Sequence, residues 1–247
     1  MTAPTEVTAV PDAFGVPVVA FEGLDGSGKS TQCRLLSERL GSAGMGAAIR
    51  PLFRFDIVEE MLEDLDGAAE VPDVGSRYAV MAKVLTRQEW VVNPRLGERE
   101  ATIYDKFLLT FLANEIVRGA DRHELEVMSR RVLPPSLTFV LEISPETALR
   151  RKGGKVGFRE AGLNLATYRG EPVTYSAYKA GLYPAKFLEQ RYVEFQLEVQ
   201  AAMRSLIDAD KSPSPFGRRC VLLKAERSTE DLAAEIWSHV DESARAR

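Results

Sequence analysis

Val16-Pro17-Val18-Val19-Ala20-Phe21-Glu22-Gly23-Leu24-Asp25-Gly26-Ser27-Gly28-Lys29-Ser30-Thr31 is an apolar run that passes directly into Gly-x-x-x-x-Gly-Lys-Ser. An apolar strand, a glycine-rich turn and a helix start in that order form the phosphate-binding loop of nucleotide-using proteins. Gly23, Gly26 and Gly28 allow a tight turn that aims successive backbone N–H groups at phosphate oxygens. Lys29 then places a point charge on the β- and γ-phosphates, and Ser30 offers a hydroxyl to Mg²⁺. From Thr31 to Leu40 the chain carries Leu35, Leu36 and Leu40 at helical spacing, so the positive end of a helix dipole faces the anion. The stretch predicts ATP as ligand, with Gly23, Asp25, Gly26, Ser27, Gly28, Lys29, Ser30 and Thr31 around its phosphates.

The rest of the composition narrows the class. At 247 residues and 45% apolar content the chain can bury a sizeable core, and one domain over residues 15–247 is expected. A formal charge of −4 argues against polymeric nucleic acid as a partner. Cys33 falls in the helix after the loop and Cys220 opens a late apolar run, so both read as small buried hydrophobes, which fits a reducing cytoplasm. No stretch approaches the roughly 20 apolar residues of a membrane span, and the N-terminus lacks the order of a signal peptide. Residues 1–14 have no periodic pattern and read as a mobile tail.

Five β-rich runs, Val16–Glu22, Ala47–Phe53, Ala101–Phe107, Ser136–Ile143 and Cys220–Glu226, alternate with helical stretches. The runs are nearly continuously apolar, as strands buried on both faces require, so a five-stranded parallel sheet with helices on both sides is predicted. That is a three-layer α/β/α arrangement with its ligand crevice at the carboxyl ends of the strands. Helices are expected over Ser30–Leu40, Ile57–Leu65, Ser76–Val92, Leu108–Val117, Asp121–Arg131, Pro145–Arg151, Pro184–Leu206 and Thr229–Ser243. Between them, residues 151–183 are first glycine-rich and basic, then aromatic and polar, with weak helical periodicity. A long insert of this kind is usually functional or mobile.

Phe21-Glu22-Gly23-Leu24-Asp25-Gly26-Ser27-Gly28-Lys29-Ser30-Thr31-Gln32 resembles the phosphate loop of the thymidylate kinase family of P-loop nucleoside monophosphate kinases nearly letter for letter. The run from Pro134 to Arg151 resembles the family's fourth strand and the helix leading to its lid. Phe187-Leu188-Glu189 with Tyr192 resembles its next long helix, and Cys220–Ala225 with Ser228-Thr229-Glu230-Asp231-Leu232 resembles the fifth strand, the loop bordering adenine and the last helix. The resemblance implies an ATP- and Mg²⁺-dependent kinase, a homodimer, and an adenine border near Ala225 and Glu226. It also implies a basic lid around 151–183, with Arg150 just before it and Arg151, Lys152, Lys155 and Arg159 within it. On the acceptor side the chain departs from the family. Arg-Glu-Pro-Gly after the second strand is replaced by Arg50-Pro51-Leu52-Phe53-Arg54-Phe55-Asp56, and Asp-Arg-Tyr after the third by Asp105-Lys106-Phe107. Lys106 keeps the charge but loses the planar fork that grips a phosphate with two parallel bonds. In the helix that reads thymine, an aromatic ring precedes an Arg by four residues; with Arg87 as that Arg, the ring position is Lys83.

Phosphoryl transfer needs in-line alignment and cations around the developing charge. Lys29, Arg150 and Arg151 are the candidate cations, Ser30 and Asp105 the candidate Mg²⁺ holders, and Asp25 the group that orients or deprotonates the acceptor. Asp105 can alternatively be a helix cap, Asp25 a turn residue, and the basic run a solvated surface. Arg50, Arg54, Phe55, Arg77, Lys83, Arg87, Lys106 and Phe107 are the acceptor-side candidates. The leading expectation is a kinase of small molecules with an altered acceptor, a nucleoside-like or specialised metabolite. A dTMP kinase is the alternative. A non-catalytic ATP-binding or nucleotide-switch module is the reading from another class, against which Lys29, Ser30 and the basic insert weigh.

Overall fold

The structure is a computed structural model and describes residues 18–50, 73–88, 100–208 and 219–245. The expected tail 1–14 and helix Ile57–Leu65, and the candidates Arg54 and Phe55, lie outside these residues. In chain order the elements are β1 (Val18–Gly23), α1 (Lys29–Ser42), β2 (Gly46–Arg50), α2 (Asp73–Arg87), β3 (Glu100–Asp105), α3 (Leu108–Val117), α4 (Arg122–Ser129), β4 (Leu137–Glu142), α5 (Pro145–Arg151), β5 (Thr167–Tyr168), β6 (Glu171–Pro172), α6 (Tyr175–Lys179), α7 (Ala185–Asp208), β7 (Cys220–Lys224) and α8 (Thr229–Arg245). β1, β2, β3, β4 and β7 form one parallel sheet in the order β2-β3-β1-β4-β7. All five expected strands are present, each within a few residues of its predicted bounds, and α3 and α5 have the predicted ones.

Alternation along the strands sorts the two faces. Val19, Phe21, Ile103, Phe139 and Leu141 pack with Cys33, Leu36 and Leu40 of α1 and with Leu232, Ile236 and Val240 of α8. Ala20, Tyr104 and Val140 face the other way, against Val84 of α2, Leu109 and Leu112 of α3, Leu125 of α4, and Phe195, Val199 and Met203 of α7. This is the three-layer α/β/α fold of P-loop nucleotide-binding proteins. Phe21 and Phe139 stack across neighbouring strands with ring centroids 5.4 Å apart, and burying each ring contributes about 1.5–3 kcal/mol. Helix starts follow from local chemistry. Asp121 accepts from the Glu124 N–H at 2.9 Å, and Ser144 caps α5 with Pro145 in its first turn.

The insert after α5 has more structure than its weak periodicity predicts. β5 and β6 pair antiparallel, α6 follows, and Phe158, Ala161, Leu163, Ala166 and Val173 pack with Leu149 and Tyr192 into a third cluster. Tyr178 donates to the Val156 carbonyl at 2.6 Å, and the Thr174 N–H donates to the Tyr183 hydroxyl at 3.0 Å. The cluster is built from short pieces and rings, so no single stretch of sequence displays it. Among the described residues, no helix is long and apolar enough to cross a membrane.

Candidate active site

β1 stands between β3 and β4, so the loop that leaves it opens into the crevice at the strands' carboxyl ends. Gly23 and Gly26 adopt φ of 127° and 95°, and an added Cβ would lie 2.5 Å from the Leu141 carbonyl oxygen and 2.6 Å from that of Ala148. Only glycine fits either position. Lys29 is buried, and its ammonium donates to the Gly23 and Leu24 carbonyls at 2.9 and 2.7 Å and to Asp25 Oδ1 at 3.3 Å. Ser30 donates to Asp105 Oδ2 at 2.6 Å, which brings two oxygen donors together beside the loop. Ser27 Oγ is buried with no partner among the described residues, as a loop shaped to enclose an anion would leave it.

Two cavities meet at Asp25 and Lys106. The donor-side crevice, about 670 Å³, is lined by residues 25–32, Asp105, Lys106, Arg151, Ala225, Arg227, Thr229 and Leu232. It holds every predicted phosphate-loop residue except Gly23, whose carbonyl anchors Lys29. Arg151 reaches it through a bond from its guanidinium to the Ala225 carbonyl at 3.2 Å. Arg150 does not: it is exposed and donates to Thr147 Oγ1 at 3.2 Å, because it points one helical step away. Glu226 is absent from the lining as well. The Ser144 hydroxyl and N–H, at 2.6 and 3.0 Å, engage its carboxylate and hold it below the ordinary carboxylate range. Arg227 and Thr229 line the crevice and were missed; their only signal is their place beside the predicted Ala225 and Glu226.

The second cavity, about 560 Å³, lies between the carboxyl end of β3, α3 and the insert. Lys106 and Phe107, two of the acceptor-side candidates, line it. Around them stand Arg118, Lys152, Lys155, Arg159 and Lys179, with the rings of Phe111, Phe158, Tyr175 and Tyr178. Three other acceptor-side candidates are elsewhere. Arg50 folds back along the sheet to Glu100 at 3.2 Å. Arg77 is buried between Glu115 and Glu124, at 3.2 and 3.0 Å, where it holds α2 to α3 and α4. Lys83 lines neither cavity, and the Arg87 side chain lies outside the described residues. Arg118, Phe111, Tyr175 and Glu160 were missed because they look like ordinary helix and loop residues until the insert folds over them.

The electrostatics converge on Asp25. Burial opposes its ionisation, but Lys106, with its ammonium 2.7 Å from Oδ1, and Lys29 hold its carboxyl well below the usual range. Burial lowers Lys29, with the Lys106 charge acting in the same direction. Lys106 takes up this position in the left-handed region, at φ 72°, with its N–H on the Phe21 carbonyl at 3.1 Å. A side chain held in that strained conformation marks a site over-determined by its surroundings. Beneath it, buried Glu22 accepts from the Leu109 N–H at 2.7 Å and the Thr110 hydroxyl at 2.5 Å, which ties β1 to the start of α3; burial raises its pKa in spite of those bonds.

The site therefore fits a triphosphate beside a second, cationic and aromatic cavity. The thymidylate kinase family model matches residues 21–164, from β1 into the insert. The chain is 26% identical over 238 residues to the thymidylate kinase of Dinoroseobacter shibae, covering 90% of this chain and 95% of that protein. It is 30% identical over 236 residues to that of a Roseiflexus species, covering 90% and 92%. To that of Chlorobium luteolum it is 32% identical over 155 residues, covering 60% and 70%. A loop with two positions that admit only glycine, two cavities joined at one carboxylate and a family match across more than half its length make this chain a member of the thymidylate kinase family, an ATP-dependent phosphotransferase.

Proposed function

We propose that the chain transfers the γ-phosphoryl group of ATP to thymidine monophosphate, giving ADP and thymidine diphosphate. The observation that carries this reading is the cavity beside the loop, where cations and aromatic rings line one space that opens onto Lys106 and Asp25. A nucleoside monophosphate presents an aromatic base and a phosphate dianion, and both complement that lining. The relatives are named thymidylate kinases, and nothing in the comparisons favours the altered acceptor read from the Arg50–Asp56 stretch and Lys106.

In this reading the loop amides and Lys29 hold the β- and γ-phosphates, and Lys106 draws the acceptor phosphate into line. An acceptor phosphate oxygen attacks the γ-phosphorus, the bond to the β-phosphate oxygen breaks, and ADP carries away the electron pair. Arg151 on the donor side and Lys152 on the acceptor side, with the insert acting as a lid, surround the transferred group and exclude water. Ser30 and Asp105 would hold Mg²⁺, which would neutralise charge on the phosphates. Exposed Val74 and Tyr78 on α2 and Val127 on α4 support a homodimer, which light scattering tests directly.

A coupled assay of ADP formation across the common nucleoside monophosphates tests the acceptor. Turnover that depends on dTMP is expected; turnover with another acceptor and none with dTMP would restore the altered-acceptor reading.

A further inference from the structure

α3 takes its cap from another element. Phe107 stands in its N-cap position and has no side-chain group that could accept from the open N–H groups of the first turn. The carboxyl group that does so belongs to β1. Glu22 Oε1 accepts from the Leu109 N–H at 2.7 Å and Oε2 from the Thr110 N–H at 3.3 Å, the two positions that an N-cap side chain ordinarily serves. Oε2 also accepts from the Thr110 hydroxyl at 2.5 Å, and that hydroxyl accepts from the Gly23 N–H at 3.3 Å. Burying a carboxyl group as completely as Glu22 is buried costs stability that its hydrogen bonds must offset. A Ser or Asp at position 107 would cap α3 without that cost, but it would hold the helix only to its own chain. Glu22 holds it to the strand that enters the phosphate loop.

What this fixes is Lys106. The connector between β3 and α3 is Lys106 and Phe107 alone. On one side the Lys106 N–H donates to the Phe21 carbonyl at 3.1 Å, which continues the pairing of Phe21 with Asp105. On the other side Glu22 grips the first turn of α3. Consecutive residues of β1 thus clamp both ends of a two-residue connector, and between them Lys106 takes φ 72°. A residue with a Cβ stays in that region only where its surroundings over-determine it. From there its ammonium reaches to 2.7 Å from Asp25 Oδ1, where the two cavities meet.

We propose that Glu22 is a positioning residue for phosphoryl transfer: by capping α3 from β1 it holds the strained backbone of Lys106 and aims the ammonium at the point between donor and acceptor. Glu22 lines neither cavity, so its effect on turnover passes through the residues it holds. The kinetic part of the inference rests on the thymidylate reading, in which Lys106 draws the acceptor phosphate into line. The conformational part, that Glu22 keeps position 106 in the left-handed region, stands apart from the identity of the acceptor.

Two double-mutant cycles test it. Glu22→Gln keeps the shape of the side chain and replaces one accepting oxygen with a donor; Thr110→Val removes the hydroxyl alone and takes its place if a melting curve shows the glutamine variant unfolded. In steady-state kinetics, Glu22→Gln is expected to lower kcat with dTMP by about 10- to 100-fold, the scale for a reacting group displaced by about 1 Å. In the Lys106→Ala background it is expected to cost no more than about twofold further. In urea unfolding, the advantage of Lys106→Gly over Lys106→Ala, about 0.3–1 M in midpoint, is expected to shrink by about half or more once Glu22→Gln lets the connector relax. Additive losses in kcat, or an undiminished glycine advantage, overturns the proposal and leaves the thymidylate reading standing. Wild type that does not turn over dTMP overturns that reading, and the urea cycle alone then decides whether Glu22 holds Lys106.

Discussion

Lys106 allows stability and activity to be separated at one residue. Its backbone sits at φ 72° and its ammonium 2.7 Å from Asp25, with the side chain about one-fifth exposed. A residue with a Cβ is strained in that conformation by about 1–2 kcal/mol, while glycine loses about 0.5–1 kcal/mol more chain entropy on folding. Lys106→Gly and Lys106→Ala both remove the cation and differ in the strain and in the opposing chain entropy. The glycine variant is therefore expected to be about 1 kcal/mol more stable than the alanine variant, a shift of about 0.3–1 M in the urea midpoint. Both are expected to lose about 100-fold or more in kcat with dTMP, the scale for removing one group that stabilises developing charge. Urea unfolding by circular dichroism and a coupled ADP assay measure the two effects. Equal stability of the two variants would refute the strain argument, and near-native turnover in either would remove Lys106 from the transfer site.

Gly26→Ala places a Cβ 2.6 Å from the Ala148 carbonyl at φ 95°; fluorescent-ATP binding is expected to fall by at least tenfold, and unchanged affinity would mean that the loop does not hold the triphosphate. Phe139, fully buried between α1 and α8, is expected to cost about 3–5 kcal/mol on replacement by alanine in urea titration. The pH dependence of Asp25 has a definite sign. Its folded pKa is depressed from the ordinary 3.8, so its ionised form stabilises the fold above that value, and the contribution disappears as pH falls through the folded value. The stability gap between wild type and Asp25→Asn is expected to be constant at neutral pH and to close in acid; a gap that widens in acid would contradict the ion-pair geometry.

The scaffold was legible because its signals are local and periodic. The apolar run through Phe21 and the run Leu137–Glu142 are strands buried on both faces, and the glycines after β1 are required by backbone geometry. The loop's place beside Asp105, which accepts from Ser30, was legible for the same reason. Side-chain direction was not. Arg150 and Arg151 are neighbours, yet only Arg151 turns into the crevice. Arg77 looked like a ligand-binding cation until Glu115 and Glu124, far away in the chain, closed around it. The acceptor wall depends on the insert, whose contacts join Arg118 to Arg159 and Gln196 to Glu160 over long sequence separations that no periodicity records.

The central claim is that these two cavities pass a phosphoryl group from ATP to dTMP. The most direct measurement mixes the protein with γ-labelled ATP, Mg²⁺ and dTMP and separates the products. The account predicts label in thymidine diphosphate, in equal amount to the ADP released and absent in Lys29→Met. Label appearing only in inorganic phosphate, or ADP release indifferent to dTMP, would contradict it.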